Sequence, residues 1–172
     1  MSQSEKAEQK GQTIAVDVGT GFTAAMLAEN AAGTDVPLYH MIQFEQEQNY
    51  TLPTAMAFFR DSLPIPARLA YGHDVASLLH KGKIKADDIM RDVKLCLLSN
   101  NHNDPHLIAL KARLDDHLLL LPGMTMEKLV AFYLRKVLED VYKHLERGGG
   151  TDTRTDLVLT VPLMWGQMNV DS

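Results

Sequence analysis

The sequence has a single cysteine and no long apolar run, and each shortage excludes a class of protein. Cys96 stands alone among 172 residues, so an intrachain disulfide and a cysteine metal cluster are both excluded. No stretch approaches the roughly 18 apolar residues of a membrane-spanning helix. The polar first 12 residues have no apolar core that would make a signal peptide. These features predict a protein of the cytosol or nucleus that has no membrane partner.

Basic residues are also in short supply, with 17 Lys and Arg against 22 Asp and Glu and a net charge of −5. A mildly acidic chain without a basic stripe offers little to a phosphate backbone, so nucleic acid is not an expected partner. The remaining composition, 45% hydrophobic residues with 11 Gly and 7 Pro, is ordinary for a globular protein. Only residues 1–12 are predicted to be a disordered leader.

The order of the predicted elements indicates an α/β fold. Residues 13–18 and 22–28 are two apolar runs joined by a Gly-rich turn, which predicts a β-hairpin. The other elements are predicted as strands at 38–44, 55–59, 118–121 and 156–161, helices at 74–81, 87–98 and 125–147, and a loop at 99–105. The last helix is the clearest, because its apolar residues repeat every four positions from Leu129 to Leu145.

The clearest chemical signal lies where the first strand ends. Asp17 is followed by Gly19, Thr20 and Gly21. Glycine lets a backbone approach an anion closely, successive N–H groups bind phosphate oxygens, and a carboxylate there holds the cation that accompanies a nucleotide. The other interpretation is a hairpin turn without a ligand, in which Asp17 caps a loop. Neither of the common helix-based phosphate loops occurs, so a phosphate site would lie on a hairpin.

Five stretches of the chain resemble, in the same order, the nucleotide-binding domain of the 70-kDa heat-shock chaperones and their actin-like relatives. IAVDVGTGFTAAML is similar to the family's first phosphate hairpin, I-D-hydrophobic-G-T-T with an aromatic residue next. LPTAMAF is similar to its T-P-S strand, YGHDVASLL to its G-x-x-A helix, and DVK to its D-A-K segment. The long helix followed by DLVLTVPLMW is similar to the helix that leads to V-x-T-V-P-A.

The resemblance implies a ribonuclease-H-like, actin-like ATPase lobe over residues 13–172, with a mixed sheet and flanking helices. It implies a core subdomain at about 13–44 and 123–172, and a smaller subdomain at about 45–122. The cofactors would be ATP or ADP with Mg²⁺, and the partners client proteins or co-chaperones. The backbone of Gly19, Thr20, Gly21 and Phe22 would hold the phosphates, Asp17 would hold Mg²⁺ through water, and Lys94 would be the catalytic cation at the γ-phosphate.

The chain also departs from the family. Gly21 replaces the second threonine of the hairpin, and Leu95 follows Lys94 where the chaperones usually have arginine. The later D-x-G-G-G-T, E-P and G-G-x-x-R motifs do not occur in these 172 residues, so little or no ATP turnover is expected from this chain alone. Three alternatives stay open: a pseudo-ATPase or protein-interaction module, a sugar-kinase-type member of the superfamily, and a truncated product without a function of its own.

Overall fold

The computed structural model describes residues 11–30, 34–45, 49–59, 68–96, 105–118, 123–147 and 155–160. This part of the chain is mixed α/β, as predicted. Its strands are β1 (Gln12–Val18), β2 (Phe22–Asn30), β3 (Pro37–Met41), β4 (Thr51–Pro53), β5 (Ala55–Phe59), β6 (Arg68–Tyr71), β7 (Ile89–Arg91) and β8 (Thr155–Thr160). Its α-helices are α1 (His73–His80), α2 (Val93–Cys96), α3 (Pro105–Leu118) and α4 (Met126–Arg147), and a 3₁₀ turn spans Ala86–Asp88.

The larger sheet has the strand order β3-β2-β1-β8, and β4 pairs with β2 in addition. β1 and β2 form the predicted hairpin, in which Val18 lies opposite Thr23. β8 runs parallel to β1, and Asp17 lies opposite Thr160. Because β1 and β8 are parallel, their carboxyl ends meet at one edge of the sheet, beside the turn of the hairpin. That edge therefore brings together polar residues from the ends of two separate strands, Asp17 of β1 and Thr160 of β8.

Helix α4 covers one face of this sheet. Its buried residues Leu129, Val137, Val141 and Leu145 share a core with Ile14, Val16 and Val18 of β1. Alternation along β1 places Asp17 on the opposite face, where it is exposed. The helix begins as predicted after Thr125, whose hydroxyl accepts the N–H of Lys128 at 3.3 Å. Packing of α4 thus fixes the position of β1, and with it the position of the hairpin turn.

The smaller sheet has the order β6-β5-β7, with both pairings antiparallel. It lies between Ala55 and Arg91, inside the segment for which a smaller subdomain is predicted, and the division into subdomains stays a prediction. A polar contact connects this sheet to α4: the Tyr71 hydroxyl donates to the Asp140 carboxylate at 3.3 Å. Asp140 is buried, and that burial raises the pKa of its carboxyl.

Four predicted elements differ from the structure. The helix predicted at 87–98 is wrong, because this stretch forms the 3₁₀ turn, β7 and the short α2, with residues 97 and 98 outside the described part. The loop predicted at 99–105 and the strand predicted at 118–121 each overlap α3, which begins at Pro105 and ends at Leu118; their other residues lie outside the described part. β3 ends at Met41, although Ile42 and Phe44 are buried beyond it.

Some predictions fall on residues outside those described, namely residues 1–10 of the leader predicted at 1–12 and the V-P-L-M-W stretch after Thr160. The end of that leader is wrong, because Gln12 is buried as the first residue of β1. Within the described residues, no helix is long and apolar enough to cross a membrane.

Candidate functional site

The turn of the β1–β2 hairpin is the centre of the candidate site. Gly19 N–H donates to the Phe22 carbonyl at 2.9 Å, which leaves Thr20 and Gly21 as the two residues of the turn. Within the described chain, neither of these two residues donates its N–H to a backbone carbonyl. Both residues are exposed. The turn therefore has two adjacent N–H groups without a backbone acceptor among the described residues, and an anion could bind to them.

The two glycines of the turn serve different purposes. A Cβ on Gly19 would lie 2.6 Å from the Phe22 carbonyl oxygen, so the tight hairpin requires glycine there. A Cβ on Gly21 would meet nothing within 4 Å, and the backbone of Gly21 is not in the left-handed region. The fold therefore tolerates a side chain at position 21, and the space beside its N–H group is open to a ligand.

Asp17 is the second-to-last residue of β1, close to this turn, and it interacts with the neighbouring strand β8. The hydroxyl of Thr160, at the end of β8, donates to Asp17 Oδ1. This contact holds the carboxylate at the edge of the sheet while leaving it exposed to solvent. The described residues contain no group of three or more His, Cys, Asp or Glu side chains that would bind a bare metal ion. Asp17 alone fits a cation that arrives hydrated and already bound to phosphate, because Mg²⁺ usually keeps several waters and takes few protein carboxylates.

Lys94 reaches the same turn from a distant part of the chain. Its ammonium group donates to the carbonyl oxygen of Val18, which lies 76 positions earlier. Partial burial lowers the pKa of Lys94, and the nearby Asp17 carboxylate acts in the opposite direction. A partly buried ammonium group loses some of its hydration, and one carbonyl and a nearby carboxylate replace only part of that stabilisation. An anion that binds beside it would supply the rest.

An unusual backbone conformation lies two residues before Lys94. Asp92 has φ of 56°, and among the described residues it is the one non-glycine residue with positive φ. This conformation lies between β7 and α2, and the Asp92 carbonyl accepts the N–H of Leu95 at 2.8 Å. Such a conformation costs about 1–3 kcal/mol. The chain thus maintains a strained residue two positions before the cation.

A buried hydrogen-bond network anchors the base of the hairpin. The hydroxyl of Thr23 lies 2.8 Å from the Tyr133 hydroxyl of α4 and 3.0 Å from the Thr54 hydroxyl. The N–H of Thr54 donates to the Gly21 carbonyl at 2.9 Å. Burial raises the pKa of Tyr133, so its hydroxyl stays protonated and available as a donor. The turn is therefore fixed from below by residues of α4 and of the segment between β4 and β5.

A cleft of about 420 Å³ opens beside the turn. Thr20, Gly21 and Phe22 line the cleft together with Arg91 and Asp92. Its remaining walls are mostly apolar and come from the start of β5, from α1 and from Ile89. Phe22 keeps 61% of its surface exposed at this position. The turn thus borders an open space that the end of β7 also lines.

The structure brings together the residues that the sequence singled out, since Asp17, the Gly19–Phe22 turn and Lys94 all lie at one end of β1. Sequence reasoning missed Thr160 and Arg91. A signal existed for each of them: Thr160 is a hydroxyl residue ending a predicted strand, and Arg91 is a second cation three residues before Lys94.

Comparison with known proteins adds no family to this description. No protein-family model matches the chain. No curated protein matches it significantly either. The relationship to actin-like ATPases and the roles of the site residues are therefore proposals.

Proposed function

We propose that this chain is the phosphate-binding lobe of an actin-like, heat-shock-70-type ATPase, and that it binds the phosphates of ATP or ADP together with Mg²⁺. The N–H groups of Thr20 and Gly21 bind phosphate oxygens. Lys94 supplies positive charge beside them, and Asp17 holds Mg²⁺ through water. The resemblance of five stretches of sequence supports the nucleotide as the ligand.

The observation that carries this proposal is the position of Lys94. Its ammonium group contacts the last residue of β1 and interacts electrostatically with Asp17, although α2 and β1 are far apart in the chain. A lysine on a solvated helix face has no reason to lose water against a carbonyl beside a glycine turn. An anion bound to the turn would neutralise the cation and accept hydrogen bonds from the N–H groups of Thr20 and Gly21. The position of Lys94 is therefore the one expected of a residue that binds an anion.

The same site would contribute little turnover by itself. Catalysis of phosphoryl transfer depends on positioning the attacking water and on neutralising charge from several directions at once. Besides Arg91 and Asp92 of the cleft, the described residues offer one carboxylate, one half-buried lysine and two N–H donors around the turn. We therefore propose binding as the activity of this chain and ATP hydrolysis as the activity of the parent domain.

Calorimetric titration with ATP tests this function, using the wild type and Asp17→Asn. Asparagine keeps the size of the side chain and still accepts the Thr160 hydroxyl, so the fold is preserved. In the presence of Mg²⁺ we expect at least tenfold weaker binding by Asp17→Asn, or about 1.4 kcal/mol. With EDTA in place of Mg²⁺ the difference should vanish or reverse, since the carboxylate then only repels phosphate.

Asp115→Asn is the matched control, because Asp115 is exposed on α3 and the substitution changes the charge equally. It should bind MgATP as the wild type does. Equal affinity of wild type, Asp17→Asn and Asp115→Asn would reject the role of Asp17. Absence of binding by folded wild type at millimolar MgATP would reject the proposed function itself.

A protein-interaction module is the second candidate, and a row of apolar residues favours it. The strand register places Met41, Met26, Ala15 and Val158 side by side across the larger sheet, on the face away from α4. Met41 is 46% and Val158 is 49% exposed. Exposed apolar surface of this kind often marks a protein interface. If folded protein binds no nucleotide, this face becomes the leading functional surface.

A further inference from the structure

We propose that Arg91 is a second phosphate ligand, which contacts the phosphate chain from the opposite side of the turn to Lys94. This inference rests on the proposed function and extends it. A phosphate chain lying across Thr20 and Gly21 would contact Lys94 on the side of Asp17 and Arg91 on the side of the cleft. The length of the bound phosphate chain would then decide affinity.

The first support is that Arg91 and the turn face the same space. Arg91 lines the cleft together with Thr20, Gly21 and Phe22. Guanidinium groups bind phosphate through paired N–H donors, which makes arginine suited to such a position. A ligand bound to the unpaired N–H groups of the turn therefore lies beside this side chain.

The second support is the availability of the Arg91 side chain. It is exposed at the end of β7, and within the described chain it forms no ion pair. By contrast, Arg135 and Arg147 are paired with glutamates on the surface. A guanidinium that borders a cleft without an internal partner is available to an anionic ligand.

The third support comes from the chain reversal at Asp92. Arg91 precedes this residue and Lys94 follows it by two positions, so the left-handed backbone separates the two cations. One of them reaches the Val18 carbonyl and the other lines the cleft. Asp92 also lines the cleft, and its carboxylate favours a phosphate ligand that carries Mg²⁺ over a bare anion.

The experiment measures affinity against phosphate number, by calorimetry of the full chain with AMP, ADP and ATP in the presence of Mg²⁺. The variants are Arg91→Gln, Arg91→Lys and the control Arg113→Gln, which removes an exposed charge from α3. For the wild type we expect affinity to rise from AMP to ATP. In Arg91→Gln we expect ATP binding to weaken at least fivefold and AMP binding to change less than twofold, while Arg91→Lys recovers part of the loss.

Each outcome decides between the two proposals. ATP binding by Arg91→Gln that equals the wild type overturns the role of Arg91 and leaves the proposed function intact. If Arg91→Gln weakens the binding of AMP and ATP equally, or if Arg113→Gln weakens ATP binding as much as Arg91→Gln does, the effect is one of general charge. Either result also overturns the role of Arg91. No binding of any nucleotide by the wild type overturns the proposed function, and this inference with it.

Discussion

Replacing Lys94 with methionine should weaken binding of MgATP by at least tenfold, with only a small change in the free energy of unfolding. A charge-assisted hydrogen bond contributes about 1.5–3 kcal/mol, which corresponds to roughly a 10-fold to 100-fold change in affinity. The variant keeps an unbranched side chain of similar length. It loses only the ammonium group that contacts the Val18 carbonyl.

The stability of Lys94→Met follows from the burial of the lysine. Burial lowers the pKa of Lys94, because keeping the ammonium group charged in its partly buried position costs free energy. Methionine removes that cost but also removes a hydrogen bond from a charged group, whose net value is about 1.5–3 kcal/mol. The two effects oppose each other, so the free energy of unfolding should change by less than about 1.5 kcal/mol.

Two measurements on the same samples check this prediction: calorimetric titration with MgATP and urea unfolding followed by circular dichroism. Lys81→Met is the control, because Lys81 is exposed after the end of α1. It should bind MgATP as the wild type does. If Lys94→Met retains wild-type affinity, Lys94 is a structural residue and the assignment of a catalytic cation is wrong.

The second large effect is on stability, where Gly19→Ala should destabilise the protein by about 2–3 kcal/mol. The added methyl group would lie 2.6 Å from the Phe22 carbonyl oxygen, which is a backbone atom and cannot rotate away. That oxygen also accepts the Gly19 N–H, so opening the turn breaks the hydrogen bond that closes the hairpin.

Gly21→Ala, two residues away, is the matched control for this prediction. No atom lies within 4 Å of its added Cβ, and the backbone there is not left-handed. A Gly→Ala change at such a position stabilises by about 0.4–1 kcal/mol, chiefly by restricting the unfolded chain. Urea midpoints should therefore separate the two variants in opposite directions from the wild type. Equal midpoints would show that the turn relaxes easily and is less rigid than the contact distances indicate.

The sequence was sufficient to predict the elements whose patterns are local. The apolar runs around Gly19 and Gly21 predicted the hairpin, and the four-residue repeat from Leu129 to Leu145 predicted α4. Both elements are present in the structure, and their buried residues pack in the same core. Helix α3 was missed because Pro105 indicates a loop, although proline is well tolerated in the first turn of a helix.

The predicted helix at 87–98 failed for a reason that local patterns do not contain. Its spacing of Ile89 and Val93 is helical, yet Ile89 pairs with Ala57 as part of a sheet and both Ile89 and Met90 are buried. Pairing with β5 overrides the spacing. The site shows the same limit: the contact of Lys94 with Val18 joins residues that lie 76 positions apart, and a local pattern does not contain it.

The central claim is that the N–H groups of Thr20 and Gly21 bind phosphate, and an NMR titration of ¹⁵N-labelled protein with MgATP tests it most directly. We expect the amide resonances of these two residues to shift and to reach saturation together. The amide of Gly123, in the segment before α4, should stay unchanged as an internal control. A well-dispersed spectrum in which the resonances of Thr20 and Gly21 do not move at millimolar MgATP would contradict the claim.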